Sequence, residues 1–382
     1  MSFVIGIDAT NLRQGGGRTH LIEVLRTSRP ELHGFSKIIV WGSDDTLRLL
    51  ESYPWLEKKS HPALMGGLFA RTLWQCLILT KKARKSRCDL LFVPGGSYFG
   101  NFHPVVTMSR NMLPFEWKEL SRYKRSIFIF KLLLLRLAQI KTFKKVDGLI
   151  FLSKYAKNII INFIDKLPDS TIIPHGLNER FKAVPRLQKS IHGYSDNNPY
   201  RLLYVSTIDE YKHQWHVIKA IELIRREEKW NIALDLVGPA FKPSLIRLKK
   251  SMMSSDPQGV WINYWGEVPF QSLHKIYLKT DLGIFASSCE NMPNTLLEMM
   301  AAGLPIACSR LGPMPDFLGV AGLYFNPEDP RDIADTLKRL IGDENLRKNL
   351  SLKSFNLSLQ YTWVRCADET FTYLKKIGKM YK

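Results

Sequence analysis

Short apolar runs alternate with helical stretches from the start of the chain. In the first half, the runs that predict buried strands are 3–7, 38–41, 90–93, 105–108, 148–152 and 171–174. The stretches that predict helices between them are 18–28, 67–85, 117–145 and 153–165. Because strands covered on both faces are short and continuously apolar, this order predicts a parallel sheet with helices on both sides.

The same alternation begins again at residue 201. Its predicted strands are 202–206, 233–237, 260–264, 282–286, 305–308 and 322–325, and its predicted helices are 213–228, 242–254, 270–279, 294–302 and 331–341. A polar, irregular stretch precedes this second series and is typical of a linker. The pattern therefore predicts an α/β chain of two doubly wound, Rossmann-like units.

These patterns set four expected ranges along the chain. They are a first domain over 1–180, a linker over 181–200, a second domain over 201–360, and a C-terminal helix over 361–382 that packs back toward the first domain. Two such domains are expected to face a cleft. Ligands of these folds bind at the carboxyl ends of the strands.

Composition narrows the class of protein. The chain has 382 residues, of which 45% are hydrophobic and 24% charged, so we expect folded domains and no disorder. The five cysteines are scattered and lack a C-x-x-C pair, which argues against a structural zinc site or a disulfide framework. The first ten residues are typical of a strand, not of a secretory signal, and we expect a cytoplasmic protein.

The chain is strongly basic, with a formal net charge of +20. This excess favours polyanionic partners, which include nucleic acids, acidic lipid surfaces and phosphorylated small molecules. Recognition motifs for nucleic acid are missing, so nucleic acid is not an expected partner. One basic cluster, 118–145, surrounds the apolar stretch 127–140. That stretch is either a core helix with a basic edge or a helix at a membrane surface, and both can hold at once.

The passage from Ser287 to Ser309 carries the most chemical information. It reads SSCENMPNTLLEMMAAGLPIACS, in which a polar loop leads from one predicted strand to a short helix and then to the next strand. We predict Asn294 as the helix N-cap and Gly303 as its end. The backbone N–H groups of Asn294, Thr295 and Leu296 would then be free to bind a pyrophosphate.

Two carboxylates flank this predicted anion site. Glu298 lies one turn into the helix, where a carboxylate cannot favour phosphate but can accept hydrogen bonds from a ribose diol. Glu290 lies on the preceding loop, on the side of the phosphates where a sugar would be. The arrangement therefore predicts a site for a nucleotide sugar.

Glu290 and Glu298, followed by a small-residue helix and Gly-Leu-Pro, resemble the Glu-x7-Glu motif of the retaining GT-B glycosyltransferases of family 4. In that family the first glutamate contacts the donor sugar and the second the ribose. The resemblance covers nearly the whole chain and implies the GT-B fold with two Rossmann-like domains. It also implies that Glu290 and Lys212 act in catalysis, with Lys212 on the donor pyrophosphate.

The resemblance extends to further donor-binding positions. It implies that Gly238 forms a turn at the nucleotide and that the main chain of Val268 contacts the base. Relatives carry an arginine where this chain has Thr207 or Ser206, which is a departure from the family pattern. Some neutralisation of the phosphates must then come from another residue, for which Arg310 and Arg110 are candidates.

The first domain contributes a second set of expected site residues. Gly16 and Gly17, in a run of three glycines after the first strand, would allow a ligand to approach the backbone. The run SRNMLPFE, with GGGRTH and VPGG, resembles a subgroup that builds bacterial surface polysaccharides, including mannosyltransferases of O-antigen assembly. The run IPHGL resembles the inter-domain turn of the family. The residues that we place at the acceptor side of the cleft are Ser109, Arg110, Asn111 and His175.

The expected activity is metal-independent transfer of a hexose with retention of configuration. The chain has no Asp-x-Asp motif, so helix N–H groups and basic side chains would stabilise the leaving diphosphate. No cofactor is expected. The resemblance suggests mannose from GDP-mannose, with a UDP-sugar as the alternative donor.

The expected acceptor is a saccharide, lipid-linked, used in lipopolysaccharide O-antigen or other surface-polysaccharide synthesis. Such an enzyme would lie at the inner face of the cytoplasmic membrane, on an anionic surface. Two other classes of protein stay open. One is an enzyme of the same fold with different chemistry, such as a nucleotide-sugar epimerase or a phosphorylase, and the other is a non-catalytic partner subunit.

Overall fold

A computed structural model of the chain describes residues 3–123 and 127–381. These residues form two compact units. The first contains residues 1–115, 125–176 and 361–382, and the second contains 116–124 and 177–360. The division differs from the expected ranges, since 116–124, 177–180 and the expected linker 181–200 all belong to the second unit.

The first unit is built on a parallel sheet that has seven strands in the described residues, in the order β3-β2-β1-β4-β5-β6-β7. Its strands are β1 (Phe3–Asp8), β2 (Phe35–Trp41), β3 (Leu56–Lys59), β4 (Leu90–Val93), β5 (Val105–Met108), β6 (Gly148–Phe151) and β7 (Asp169–Ile172). Every residue of β4, β5 and β6 is buried, as the continuous apolar runs predict. The order reverses between β1 and β4, where doubly wound folds bind ligands.

The second unit is built on a parallel sheet with six described strands, in the order β10-β9-β8-β11-β12-β13. Its strands are β8 (Tyr200–Val205), β9 (Ile232–Val237), β10 (Ile262–Tyr264), β11 (Leu282–Phe285), β12 (Ile306–Ser309) and β13 (Leu323–Phe325). The order reverses between β8 and β11. The predicted pair of parallel α/β sheets is therefore confirmed.

Helices connect the strands of both sheets. Along the chain they are α1 (Gly15–Thr27), α2 (Asp44–Leu47), α3 (Pro62–Met65), α4 (Leu68–Trp74), α5 (Thr80–Lys85), α6 (Trp117–Ser121), α7 (Ile127–Lys145), α8 (Lys154–Ile161), α9 (Gln214–Glu228), α10 (Lys242–Ser255), α11 (Phe270–Tyr277), α12 (Asn294–Ala301), α13 (Met314–Leu318), α14 (Pro330–Gly342), α15 (Glu344–Ser358) and α16 (Trp363–Met380). A π-helical turn, Gln75–Leu79, joins α4 to α5. Helix α16 belongs to the first unit, where the Tyr373 hydroxyl donates to the Asp169 carbonyl at 2.7 Å.

The prediction of one helix over 117–145 is wrong. Helices α6 and α7 are separate, and α6 belongs to the second unit. Two side chains hold this short segment there. The Glu119 carboxylate is buried, and the Tyr123 hydroxyl donates to Asp209 Oδ1 at 2.6 Å. A continuous apolar and basic pattern does not reveal such long-range polar anchors.

Candidate functional site

The candidate donor residues of the second unit follow the two strands at which the sheet order reverses. Lys212 lies after β8, and Glu290 lies after β11. Because all strands of the sheet are parallel, both loops leave the same edge, the carboxyl edge. The structure thus brings together two residues that are 78 positions apart in the sequence.

Lys212 and Glu290 form an ion pair between Nζ and Oε1. Lys212 is 7% exposed, and its ammonium lies 4.9 Å from the centroid of the Tyr211 ring. The Tyr204 hydroxyl donates to the Lys212 carbonyl at 2.9 Å, which fixes the backbone below the side chain. A buried lysine held this way is a preorganised cation, with Glu290 as its neutralising partner.

The start of α12 differs from the prediction. Pro293, not Asn294, occupies the N-cap position, and no side chain caps the helix. The Asn294 N–H donates to the Met292 carbonyl and the Leu296 N–H to the Pro293 carbonyl, both at 3.0 Å. Of the three amides expected to be free, only that of Thr295 lacks an acceptor among the described residues. The N–H groups of Asn294 and Leu296 are therefore already hydrogen-bonded within the tight first turn at Pro293.

Glu298 is buried in α12, on the side of the helix that faces α11. Its Oε2 accepts a hydrogen bond of 2.9 Å from the Tyr277 hydroxyl, and its exposed fraction is 7%. Burial raises the pKa of Glu298 to about 8, although the Tyr277 bond acts in the opposite direction. The carboxyl group is thus poised to change its charge near neutral pH.

Gly238 follows β9 and occupies a position that only glycine fits. Its φ is +142°, and a Cβ built there would lie 2.2 Å from the Ser206 carbonyl oxygen. Its N–H donates to the Gly266 carbonyl at 2.8 Å, which ties it to the turn before Val268. Val268 is half-buried, so its main chain lies near the surface of this edge.

Thr207 stands where relatives carry an arginine, and Arg310 is a candidate to supply the missing charge. Thr207 is exposed, and its carbonyl accepts a 2.9 Å bond from Gln214 Nε2. Arg310 is also exposed, and its Nη2 donates to Asp332 Oδ2 at 2.6 Å. The Asp332 carboxylate therefore already neutralises the Arg310 guanidinium.

A buried polar network beside Glu290 was missed by sequence reasoning. Ser288 Oγ donates to Glu119 Oε2 at 2.6 Å and lies 2.8 Å from His213 Nε2. Burial lowers the pKa of His213 to about 2, so the ring is neutral. Since the Ser288 proton goes to Glu119, we assign the His213 proton to Nε2, from which it donates to Ser288. The backbone of His213 is left-handed, at φ +54°, and the sequence does not reveal this conformation for a residue other than glycine.

Further contacts complete this network around Glu119. Arg122 Nε donates to Glu119 Oε2 at 2.7 Å, and the Arg122 guanidinium also pairs with Glu328. The Ser288 N–H donates to the Tyr211 carbonyl at 2.9 Å. The loops that carry Lys212 and Glu290 are therefore joined through Ser288 and anchored to α6.

The candidate residues of the first unit form a group of their own. Helix α1 begins at the glycine run, and a Cβ on Gly17 would lie 3.6 Å from Arg110 Cζ. Burial lowers the pKa of Arg110 to about 10, and its Nη1 is buried without a partner in the described residues. Gly16 is exposed and Gly17 half-buried, so the start of α1 leaves this backbone open.

Two histidines lie in the same group. The rings of His20 and His175 are 4.8 Å apart between centroids, and His175 stacks on Trp363 at 5.8 Å. Burial, together with the charges of His175 and Arg110, holds the pKa of His20 well below its usual range. His175 thus packs against buried rings, and sequence reasoning did not identify its neighbour His20.

Ser109 and Asn111 have structural contacts. Ser109 is fully buried and its N–H donates to the Ile150 carbonyl at 2.9 Å, which extends the pairing of β5 with β6. Asn111 Oδ1 accepts from the Leu113 N–H at 3.1 Å and shapes the turn after β5. In residues 3–123 and 127–381, no three His, Cys, Asp or Glu side chains are grouped so that they could hold a metal ion.

Comparison with known families finds a match inside the second unit. Residues 199–343 match the family model of glycosyl transferases group 1. The matched residues lie within the second unit, and we call them the group 1 domain after the family that they resemble. The domain includes both strands at the reversal of the sheet order and all the candidate donor residues that lie beyond residue 199, Glu290, Glu298 and Lys212 among them.

Curated relatives of the chain are distant. The O-antigen chain mannosyltransferase B of Escherichia coli is 24% identical over 206 residues, which cover 54% of this chain and 52% of the relative. An uncharacterized glycosyltransferase of Methanocaldococcus jannaschii is 27% identical over 233 residues, covering 59% and 58%. A serotype-specific mannosyltransferase of Escherichia coli, WbdA, is 24% identical over 243 residues, covering 61% and 29%. The matches thus span about half the length of the first two relatives and less of the third.

Solved structures resemble the whole chain. Sucrose-phosphate synthase from Thermosynechococcus elongatus has a TM-score of 0.78 at 15% identity, and the match covers 99% of this chain and 100% of that one. HepE of Anabaena, crystallised with UDP and glucose, has a TM-score of 0.71 at 16% identity, covering 98% and 100%. The group 1 domain and the first unit therefore have the GT-B fold that the sequence predicts.

Proposed function

We propose that this protein is a retaining glycosyltransferase that moves a hexose, with mannose as the first candidate, from a nucleotide-diphosphate sugar to a saccharide. The observation that carries the proposal is the Lys212–Glu290 pair at the reversal of the sheet order in the group 1 domain. A donor diphosphate would replace the Glu290 carboxylate as the partner of Lys212. The released carboxylate would then be available to the sugar.

The leaving diphosphate would be stabilised by fixed groups of the second unit. The buried Lys212 ammonium supplies the positive charge, and the Thr295 N–H at the start of α12 supplies a donor. Glu298 would accept from the ribose hydroxyls while it keeps its bond from Tyr277. We propose that these groups act without a metal ion, since the chain lacks an Asp-x-Asp motif.

We propose mannose as the sugar because of the names of relatives. We propose a lipid-linked acceptor because of one surface of the first unit. Two relatives are named as mannosyltransferases, one of them for O-antigen chains. Helix α7 exposes Ile127, Phe130, Leu134 and Leu137, with Lys131 and Lys141 beside them. Such a surface fits an anionic membrane face, and we propose peripheral attachment at the inner leaflet of the cytoplasmic membrane.

Not all basic residues of the 118–145 cluster can be assigned to this proposed membrane surface. Lys124 and Arg125, the basic residues just before α7, lie outside the described residues. The Arg136 guanidinium lies 4.4 Å from the Phe163 ring centroid, so it packs against the first unit itself. No helix in the described part of the chain is long and apolar enough to cross a membrane.

The test is a transfer assay with a panel of GDP-, UDP- and dTDP-sugars and saccharide acceptors, with and without a chelator. We expect product from one donor, unchanged by the chelator, and NMR of the new linkage should show the anomeric configuration of the donor. A thermal-shift screen of the same nucleotides should identify the donor base. Inversion of configuration, loss of activity with the chelator, or release of an epimerised nucleotide sugar would each contradict a stated part of the proposal.

A further inference from the structure

A basic pocket lies at the carboxyl edge of the first sheet, where β1 and β2 end. It has a volume of about 510 Å³, and Arg13, Arg18 and Arg71 line it together with Asn11, Ser43 and Asp45. Arg13 and Arg18 come from the loop after β1 and from α1, and Arg71 comes from α4. Three separate segments therefore converge three guanidinium groups on one opening.

The three arginines lack an anionic partner. Within the part of the chain that the structure describes, none of them forms an ion pair. They donate instead to backbone or amide oxygens, Arg13 to the Gly66 carbonyl at 3.2 Å, Arg18 to the Arg13 carbonyl at 2.9 Å, and Arg71 to the Asn11 side chain at 3.1 Å. Arg71 also donates to the Gly67 and Thr10 carbonyls, at 3.4 and 3.2 Å. A guanidinium group has five N–H donors, so most donors of Arg13 and Arg18 stay available, and Arg71 keeps those of Nη2.

The charges in the pocket repel one another. Burial and the nearby charge of Arg13 both lower the pKa of Arg71. Asp45 is the one acidic side chain in the lining, which leaves the pocket with a net charge of +2 (three arginines less one aspartate). A bound anion would relieve this repulsion, and forked guanidinium groups suit the tetrahedral oxygens of phosphate.

We propose that this pocket binds the phosphate or diphosphate group of a phosphorylated acceptor. This inference rests on the proposed function for one point only, that the ligand is the acceptor of the reaction. The anion itself can bind without any glycosyl transfer. A volume of about 510 Å³ exceeds that of a single phosphate and leaves room for a second phosphate or a sugar ring.

Two sources could supply the same group, a lipid diphosphate or a soluble sugar phosphate. Around Arg71, α4 and the π-helical turn expose Leu68, Phe69, Leu73 and Leu77. A hydrocarbon chain attached to the bound phosphate would find apolar contacts there, which a soluble sugar phosphate would not use.

The primary test is calorimetric titration of inorganic pyrophosphate in excess GDP and UDP, so that the donor site does not compete. We expect Arg13→Gln/Arg71→Gln to weaken binding by about tenfold or more, since it removes two charged donors. The matched control is Lys81→Gln/Arg84→Gln, which removes two exposed charges from α5 and should leave affinity within about twofold. Equal losses in both variants, or no loss in the pocket variant, would overturn the proposal.

A second variant covers the case in which the first does not fold, because Arg71 also donates to the Thr10 carbonyl at 3.2 Å. Arg18→Gln keeps the bonds of Arg13 and Arg71, and we expect it to weaken pyrophosphate binding about threefold. Unchanged affinity in a folded Arg18→Gln variant would count against the site.

The source is then identified with two ligands, mannose 6-phosphate in solution and vesicles that contain a polyprenyl-diphosphate sugar. If either ligand binds to wild type but not to the arginine variants, the result supports the site and identifies the source of the phosphate. If both ligands bind equally well to wild type and to the arginine variants, the proposal is overturned. If pyrophosphate binds through the arginines but no nucleotide sugar binds the protein, the pocket stands and the proposed function fails.

Discussion

The Tyr277 hydroxyl donates a hydrogen bond of 2.9 Å to Glu298 Oε2, and both residues are buried. Burial raises the pKa of this carboxyl to about 8, against a usual value near 4.5. The folded protein therefore keeps a proton between these two pH values that the unfolded chain has lost. This difference opposes folding as the pH rises.

From this relationship we predict that wild-type stability falls, relative to Glu298→Gln, as the pH rises from 5 to 8. The difference in free energy of unfolding between the two proteins changes by at most about 1.4 kcal/mol per pH unit. It levels off when the pH exceeds the pKa of Glu298 in the folded protein. Denaturant unfolding of both proteins at several pH values measures it. A constant difference between the two across this range would show that Glu298 does not titrate as inferred.

We predict that substitutions in the Lys212–Glu290 ion pair affect stability and activity to different extents. Lys212→Met or Glu290→Gln alone leaves an uncompensated charge at a mostly buried site and should cost about 2–4 kcal/mol. The double variant should recover part of that loss while transfer stays at least about 100-fold below wild type. Unfolding and initial rates are measured on the same preparations.

The control for this pair is Lys219→Met, which removes a lysine from an exposed pair with Glu222. It should change stability by less than about 1 kcal/mol and leave the rate unchanged. Strictly additive losses in the double variant would contradict the coupling between Lys212 and Glu290.

Gly238→Ala should destabilise the second unit severely. Its Cβ would lie 2.2 Å from the Ser206 carbonyl oxygen, and its φ of +142° is one that side chains rarely adopt. We expect a loss of about 3 kcal/mol or more, or no soluble protein. Gly193→Ala is the control, because a Cβ there would meet no atom within 4 Å. A soluble Gly238→Ala with wild-type melting behaviour would refute the tight backbone contact.

Glu119→Gln should disturb the loops that carry the donor residues without touching the donor. Ser288 Oγ and Arg122 Nε both donate to Glu119 Oε2, so the amide removes the charge that holds them. We expect a stability loss of about 1–3 kcal/mol and a larger change in donor KM than in kcat. Glu179→Gln removes an exposed carboxylate and should cost less than about 1 kcal/mol. A change in kcat alone would argue against a positioning role for Glu119.

The strand pattern was predictable because apolar runs and sheet burial coincide. Strands β4 and β5 have the predicted bounds, and all their residues are buried. Strand β3 was missed because its sequence, LEKK, is charged and lies half-buried at the sheet edge. Local composition predicts the central strands of such a sheet better than its margins, where polar residues are tolerated.

The candidate site was predictable only as far as neighbouring residues determine it. The loop, helix and glycine end of α12 follow from local signals, and Gly303 ends the helix in the left-handed region at φ +65°. The free amides of Asn294 and Leu296 were not predicted correctly, since the first turn depends on how Pro293 directs the chain. The bond between Ser288 and Glu119 joins residues 169 positions apart, and no local pattern encodes it.

The second unit is not a continuous stretch of chain, because residues 116–124 belong to it. A fragment that starts at 177 would lose the Glu119 and Tyr123 contacts and expose the buried faces of Ser288 and Asp209. A chimera could be made by swapping the C-terminal halves of two relatives in order to exchange their donor preference. In such a chimera each transplanted half would be combined with the α6 of the other protein. Chimeras that carry residues 116–124 along with the half from which they come should be the ones that fold.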